Sequence, residues 1–334
     1  MWHVGIDLHR QTVVIAAVDD LGNALAPRRI DCQDQAAILD AMRPLQPFRA
    51  VIEATGTYRW LYDLLAPLGI VLLAHPLRLR AMVQRRSKTD KLDSQLLANL
   101  LRINQIPLAY VPPESYQQLR GLTRHRARLS RQAATAKTQL RSLLARHNLT
   151  SPYRSAFGVR GCRWFSQQEF GRIDNLVRDE LLLRLIHYRQ QLVLIDERLE
   201  QQRSEFPQVE ALLDIYGVGL YTALLVVGEL GEVDRFRTAR QVGSYAGLTS
   251  RVRQSGDHCY QGAITREGSP WLRWILVEAA IRVIREDPPL KNFYQRIRKR
   301  SGAKKARVAV ARKLAEICWK RLIGWQGQAT AAVA

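Results

Sequence analysis

The chain opens on a short apolar run, Val4-Gly5-Ile6-Asp7, and then a longer one, Thr12 to Val18, dominated by β-branched and small residues. Such side chains suit a pleated surface, so both runs are predicted as strands. Leu8 to Gln11 is too short for a helix, and the two strands are expected to pair as an antiparallel hairpin. A turn follows at Asp20-Leu21-Gly22-Asn23, with a third strand near Ala24 to Ile30 and a helix around Gln35 to Met42. Strand Ala50 to Glu53, a helix from Tyr58 to Leu68, strand Ile70 to Ala74 and a helix from about Asp90 to Ile103 complete the segment. Three antiparallel strands followed by alternating helices and strands is the order of a ribonuclease-H-like (RuvC-like) α/β domain over residues 1–112.

Pro112-Pro113 marks a change of period. From Tyr116 the apolar positions fall at three- and four-residue steps: Leu119, Leu122, Leu129, Ala133, Ala136, Leu140, Leu143. A second such run is Leu181, Leu185, Tyr188, Leu192, Ile195, Leu199. These heptad-like seams predict two long helices pairing as a coiled coil within residues 113–206, with Thr150 to Gly161 as the connection. Beyond Pro207, helices separated by glycine-bearing loops are expected over 209–325 in a mainly helical domain spanning 207–325. Residues 326–334 read as a frayed tail.

Charge narrows the class. With 51 Lys and Arg against 30 Asp and Glu, the formal net charge is +21, which points to a polyanionic partner. Between Pro76 and Arg160 there are 17 Lys or Arg against three acids, so this stretch is expected to face nucleic acid. A hydrophobic fraction of 47% excludes global disorder. No apolar run reaches the length of a membrane span, and the N-terminus enters a strand at once, with no secretory leader. Cys32, Cys162, Cys259 and Cys318 form no Cys-x-x-Cys pair. That argues against structural zinc or a disulfide framework and fits a reducing cytoplasm, with the four thiols expected as small buried apolar groups.

The chemistry-bearing candidates in the first segment are carboxylates. Asp7 and Glu53 fall at the ends of strands that can lie side by side, and Asp90 and Asp93, three apart, share one face of a helix start. Four converging carboxylates repel one another unless hard cations neutralise them. Two Mg²⁺ ions roughly 4 Å apart suit an in-line phosphoryl displacement. Taken alone, Asp90 and Asp93 equally satisfy a helix N-terminal dipole. Lys88 is placed to contact a scissile phosphate or to form a salt bridge. The segments Gly5-Ile6-Asp7, Ile52-Glu53-Ala54-Thr55-Gly56-Thr57-Tyr58 and Lys88-Thr89-Asp90-x-x-Asp93 resemble the DEDD motifs of the IS110 family of insertion-sequence transposases, the group that also contains the Piv DNA invertases.

The C-terminal half extends the resemblance. Ile215-Tyr216-Gly217-Val218-Gly219 ahead of a helix from Tyr221 to Leu230 has the form of a helix-hairpin-helix, in which Gly217 and Gly219 let backbone amides approach a phosphate. Tyr245-Ala246-Gly247-Leu248-Thr249, Gln254-Ser255-Gly256 and the run from Gly262 to Arg273 are similar to that family's C-terminal transposase domain. The resemblance implies that Ser255 is the nucleophile. In the sequence it sits in a polar glycine-containing loop near Arg251, Arg253 and His258, with Arg266 and Arg273 as further phosphate contacts. Thr249-Ser250-Arg251 stands where a proline often follows in the family, and Ser269-Pro270 occupies a helix start where other residues are usual. The resemblance further implies a covalent phosphoserine intermediate, a structured non-coding bridge RNA pairing with donor and target DNA, and a homo-oligomer, plausibly a tetramer joined through the coiled coil. Two rivals remain: a metal-dependent nuclease of the Holliday-junction type, which needs no serine, and a non-catalytic nucleic-acid-binding protein.

Overall fold

A computed structural model describes residues 1–82, 90–255 and 258–333 of the chain. They form two compact units, Met1–Val111 and Pro112–Ala334.

The first unit is built on a six-stranded mixed sheet. Its elements are β1 (Trp2–Leu8), β2 (Thr12–Val18), β3 (Arg28–Asp31), α1 (Gln35–Met42), β4 (Phe48–Glu53), α2 (Arg59–Leu65), β5 (Ile70–Ala74), α3 (Pro76–Met82), α4 (Asp90–Arg102) and β6 (Leu108–Ala109). The strand order is β3-β2-β1-β4-β5-β6. β1, β2 and β3 run antiparallel in sequence, whereas β4 joins β1 in parallel and β5 joins β4 in parallel. The third strand begins later than expected because Pro27, which has no amide hydrogen to give to a ladder, precedes Arg28; Ala24 makes only an isolated bridge to Val18. α2 stops short of Leu68 because Pro67 has no amide hydrogen to continue the helical ladder, although Ala66 before it keeps helical dihedrals. α3 and β6 were not expected.

Alternation along the strands divides the core. Val4, Ile6, Ala50, Ile52 and Leu73 bury one face against Ile38 and Met42 of α1 and Leu61 and Leu65 of α2. Val51 and Ala74 point the other way, against Leu97 and Leu101 of α4. That second face carries the candidate acids.

The second unit is mainly helical: α5 (Glu114–Arg146), α6 (Val159–Ser166), α7 (Arg172–Glu205), α8 (Glu210–Leu213), α9 (Leu220–Leu230), α10 (Ala239–Tyr245), β7 (Ser250–Ser255), β8 (His258–Ile264), α11 (Pro270–Glu286) and α12 (Pro288–Val333). α5 and α7 pack along each other. Of the expected seams, Leu119, Leu129, Ala133, Ala136, Leu140, Leu143, Leu181, Leu185 and Leu199 are buried, while Leu122, Tyr188, Leu192 and Ile195 are half-buried. The connection between them holds α6, whose Phe165 fills the space between the long helices together with Phe157 and Phe170. α9 is buried on every side from Thr222 to Leu230, as expected of a helix apolar all round. It packs against α5, α7 and α11.

Three expectations are corrected. The region beyond Pro207 is not helices alone, because β7 and β8 form an antiparallel hairpin. The segment from Gln326 continues α12 as helix to Val333. Cys32 and Cys318 are buried, but Cys162 is half-buried and Cys259 exposed. Among the described residues, no helix is long and apolar enough to cross a membrane.

Candidate active site

The parallel ladder between β1 and β4 pairs Gly5 with Val51 and Ile6 with Ile52. One more step sets Asp7 beside Glu53, at the carboxyl-terminal ends of two neighbouring central strands. Adjacent strands lie about 4.8 Å apart, and residues at one register position share a face. The face is that of Val51, so both acids lie on the side covered by α4. The side chain of Asp7 is 15% exposed, and its Oδ2 is 3.1 Å from Nε2 of His9. His9 escaped the sequence reading, although residues two apart on extended backbone fall on the same side.

Gly5 explains how α4 reaches this place. A methyl group there would lie 2.0 Å from the Ser94 carbonyl oxygen and 2.5 Å from the Ala98 amide nitrogen, so the backbone of α4 rests directly on β1. Ser94 is fully buried in that contact. Asp93 is its neighbour in sequence and Asp90 opens the helix, so the first turn of α4 lies over the strand that carries Asp7. Lys88 and the side chain of Asp90 lie outside the described residues. Among the described residues no three His, Cys, Asp or Glu side chains group closely enough to hold a metal. Asp7, Glu53 and Asp93 are all described, so the structure does not bring these three within reach of one ion, and only the side chain of Asp90 lies outside the described residues.

In the second unit Ser255 ends β7 rather than lying in a loop. The hairpin pairs Ser255 with His258, Gln254 with Cys259, Arg253 with Tyr260 and Val252 with Gln261, and a bulge follows towards Ser250. Register therefore places Ser255, His258, Arg253 and Tyr260 on one face; Gly256 and the side chains of Arg253, Ser255 and His258 lie outside the described residues. The hairpin base is interlocked with the helices beneath it. A methyl on Gly247 (φ +65°) would lie 2.2 Å from the Glu267 carbonyl oxygen, and one on Gly268 (φ +82°) would lie 1.9 Å from that of Tyr245. Only glycine fits both the dihedral and the space. Thr265 donates its amide to the Thr249 carbonyl at 2.8 Å, and Arg266 (φ 57°) donates to that of Gly247 at 3.3 Å. Arg273 donates to the Ala246 carbonyl oxygen at 3.2 Å, and burial, reinforced by Arg266, lowers its pKa. Its observed role is to hold this turn. Arg251 is exposed, with Nη2 3.3 Å from the Thr265 carbonyl oxygen. Ser269 caps α11 by accepting from the Leu272 amide at 3.1 Å, with Pro270 in the first turn, as the sequence suggests.

Gly217 and Gly219 have different reasons to be glycine. Gly217 takes φ +74° and a methyl on it would meet Cβ of Arg282 at 2.7 Å, so it lets α11 come close. Gly219 caps α9, and a methyl there would touch nothing within 4 Å. Both line an open cavity of about 370 Å³ with Arg126, Tyr221, Trp274, Glu278 and Arg282. The phenol of Tyr221 donates to the Thr123 carbonyl, and burial pushes its pKa up to about 12.

The arginines of α5 make many contacts within the protein, although Arg128, Arg131, Arg141 and Arg146 stay exposed. Arg124 makes a two-pronged bond to Glu229 at 2.6 and 2.9 Å, and Arg120 donates to the carbonyls of Gly228 and Glu229. Arg126 pairs with Asp196 and lies 4.2 Å from the centre of the Tyr221 ring. Arg128 and Arg131 lie over Trp271, Arg141 over Phe157, and Arg146 pairs with Asp174. By contrast, α12 carries ten Lys or Arg and no acid from Pro288 to Ala315. Among the described residues, only Arg312 and Lys313 of these reach a carboxylate, that of Glu316.

Residues 4–149 match a transposase model of the IS110 DEDD type, and residues 209–295 match the model described as "Transposase IS116/IS110/IS902 family". The chain belongs to the IS110 family of transposases. It is 27% identical to a probable family 20 transposase of Pseudomonas aeruginosa, covering 96% of each chain. It is 24% identical to the transposase of insertion sequence element IS1111A of Coxiella burnetii, over 96% of this chain and 89% of that one. It is also 28% identical to the pilin gene-inverting protein of Moraxella bovis, over 80% and 78%. IS110 transposases are DNA recombination enzymes; the first matched segment contains Asp7, Glu53, Asp90 and Asp93, and the second contains Ser255.

Proposed function

We propose that this transposase cuts and rejoins DNA by serine attack assisted by a carboxylate cluster. The first unit, with its β3-β2-β1-β4-β5 order, acts as a ribonuclease-H-like catalytic domain. The observation that carries the reading is the register that sets Asp7 beside Glu53 on the face reached by the first turn of α4. All four donors are hard carboxylate oxygens, which fits Mg²⁺. Asp7, Glu53, Asp90 and Asp93 would hold the ions, whose contribution is to neutralise charge on the phosphate oxygens. Ser255 Oγ attacks the phosphorus, a P–Oγ bond forms, the bond to one deoxyribose oxygen breaks, and that oxygen takes a proton from solvent and leaves as a hydroxyl. The serine proton passes to solvent or to His258, its cross-strand partner. Because one phosphodiester replaces another, strands can be rejoined by the reverse steps with no external energy source.

In the same reading α5 and α7 form a coiled coil that joins protomers into a tetramer. A structured bridge RNA, read by shape and backbone, directs the complex to donor and target DNA. The test uses the full chain with RNA transcribed from the sequence flanking its gene and labelled suicide DNA substrates. Wild-type protein should give a denaturation-resistant adduct that maps to Ser255, and Ser255→Ala should bind but give neither adduct nor recombinants. Recombination by Ser255→Ala would overturn the serine mechanism. Free 5′-phosphates without adduct would favour the junction-nuclease alternative.

A further inference from the structure

The hairpin that ends in Ser255 carries an aromatic ring for which the core has no use. Tyr260 lies on β8 and is 70% exposed. Large aromatic side chains normally bury their area or hold a polar tip against a partner. Here the ring lies alongside Gly262: its Cε1 would be 3.4 Å from a methyl built on that glycine, and Cβ of Arg251 would be 3.8 Å away. The glycine thus leaves Tyr260 and Arg251 side by side on an open surface. Register pairs Tyr260 with Arg253, two residues from Ser255 on the same strand. A diagonal neighbour in an antiparallel pair is about 7 Å away, roughly two stacked base steps along a DNA strand.

An exposed ring beside an exposed arginine has the composition of a stacking platform for single-stranded nucleic acid. Every base has a π-face, and arginine beside the ring provides for the adjoining phosphate. The hairpin itself suits contact with a partner. It has only two strands, it is anchored at its base by Gly247 and Gly268, and Val252 is 58% exposed on it as well. We infer that Tyr260 forms a nucleobase subsite: it stacks on an unpaired base next to the phosphate presented to Ser255, and thereby positions the strand to be cut. The inference rests on the assignment of Ser255 only for the identity of that phosphate. Stacking itself needs no chemistry at the serine, so the two can fail separately.

The test uses the full-length protein and an eleven-nucleotide oligothymidylate with one central 5-iododeoxyuridine, and a matching oligonucleotide with an abasic centre. On irradiation, wild-type protein and Ser255→Ala should cross-link through a peptide containing Tyr260, as mapped by mass spectrometry. Tyr260→Phe should keep the affinity of wild type. Tyr260→Ala should bind the base-bearing oligonucleotide roughly tenfold to a hundredfold more weakly, with unchanged melting temperature because the side chain is exposed. The abasic oligonucleotide should bind both proteins alike. Cross-links confined to other aromatic residues, or equal affinity of Tyr260→Ala and wild type, would overturn the subsite. Loss of the serine adduct with the Tyr260 cross-link retained would overturn the serine assignment alone.

Discussion

A single methyl group decides how closely α4 can approach the strand that carries Asp7. Gly5 has no left-handed dihedral to justify it; its reason is the backbone of α4, 2.0 Å from where a Cβ would stand. Gly5→Ala is expected to lift α4 from β1, lower stability by on the order of 3 kcal/mol and reduce strand cleavage further than the loss of fold explains. Thermal melting and cleavage of a labelled duplex by the same preparation check both. A variant as stable and active as wild type would show that α4 does not rest on this strand. In the sequence Gly5 reads as part of a short motif, and nothing local says which helix comes down on it. The Asp7–Glu53 neighbourhood was legible because both acids close short apolar runs. His9 was not, since a lone histidine after a strand carries no pattern of its own. A second test at this scale concerns Asp174. The hydrogen bond from His147, opposed by burial and joined by the charge of Arg146, holds its carboxyl below the ordinary value of 3.8. A lowered folded pKa gives stability that is present above the unfolded pKa and is lost as pH falls through the folded one. The melting-temperature gap between wild type and Asp174→Asn should therefore hold above the ordinary carboxyl value of 3.8 and narrow as pH falls below it, through the lower folded one.

Elements keep their places through a few expensive contacts. Glu229 is 1% exposed inside α9, and its partner Arg124 reaches it from α5 with both prongs of the guanidinium. Burial alone would lower the pKa of Arg124, but the hydrogen bonds and charge of Glu229 raise it. Removing one partner leaves a buried charge uncompensated, so Arg124→Ala should cost about 3 kcal/mol and loosen α9 from α5. Denaturant unfolding measures the loss, and Glu229→Gln should cost less, since the amide still accepts a hydrogen bond. Long helices were the most legible elements, because thirty residues of heptad-like spacing leave little choice. The β7–β8 hairpin was not legible: Ser250–Ser255 is polar, and it lacks the apolar alternation that marks a half-buried strand. Short α6 and α8 were missed for a similar reason, since fewer than three turns leave little period to detect.

For the molecule as a whole, the net charge of +21 is distributed by what each arginine touches. α7 carries seven acids beside α5, and three α5 arginines are paired to carboxylates. The ten basic residues between Pro288 and Ala315 meet only Glu316 among the described residues. Replacing Arg298, Lys299, Lys304 and Lys305 together by alanine should reduce the magnitude of the log–log salt slope for DNA binding by about 3. Filter binding between low and physiological salt measures it, and an unchanged slope would place the phosphates elsewhere. The sequence reported the excess charge but not its location, because pairing between distant helices is invisible along the chain. An arginine neutralised by a carboxylate exerts little force beyond a Debye length, whereas uncompensated charges act across the intervening water. The second unit therefore carries an electric dipole with its positive pole on α12. In the field of a polyanion such a dipole feels a torque before any contact is made, so the α12 end should lead each productive approach and set the encounter rate.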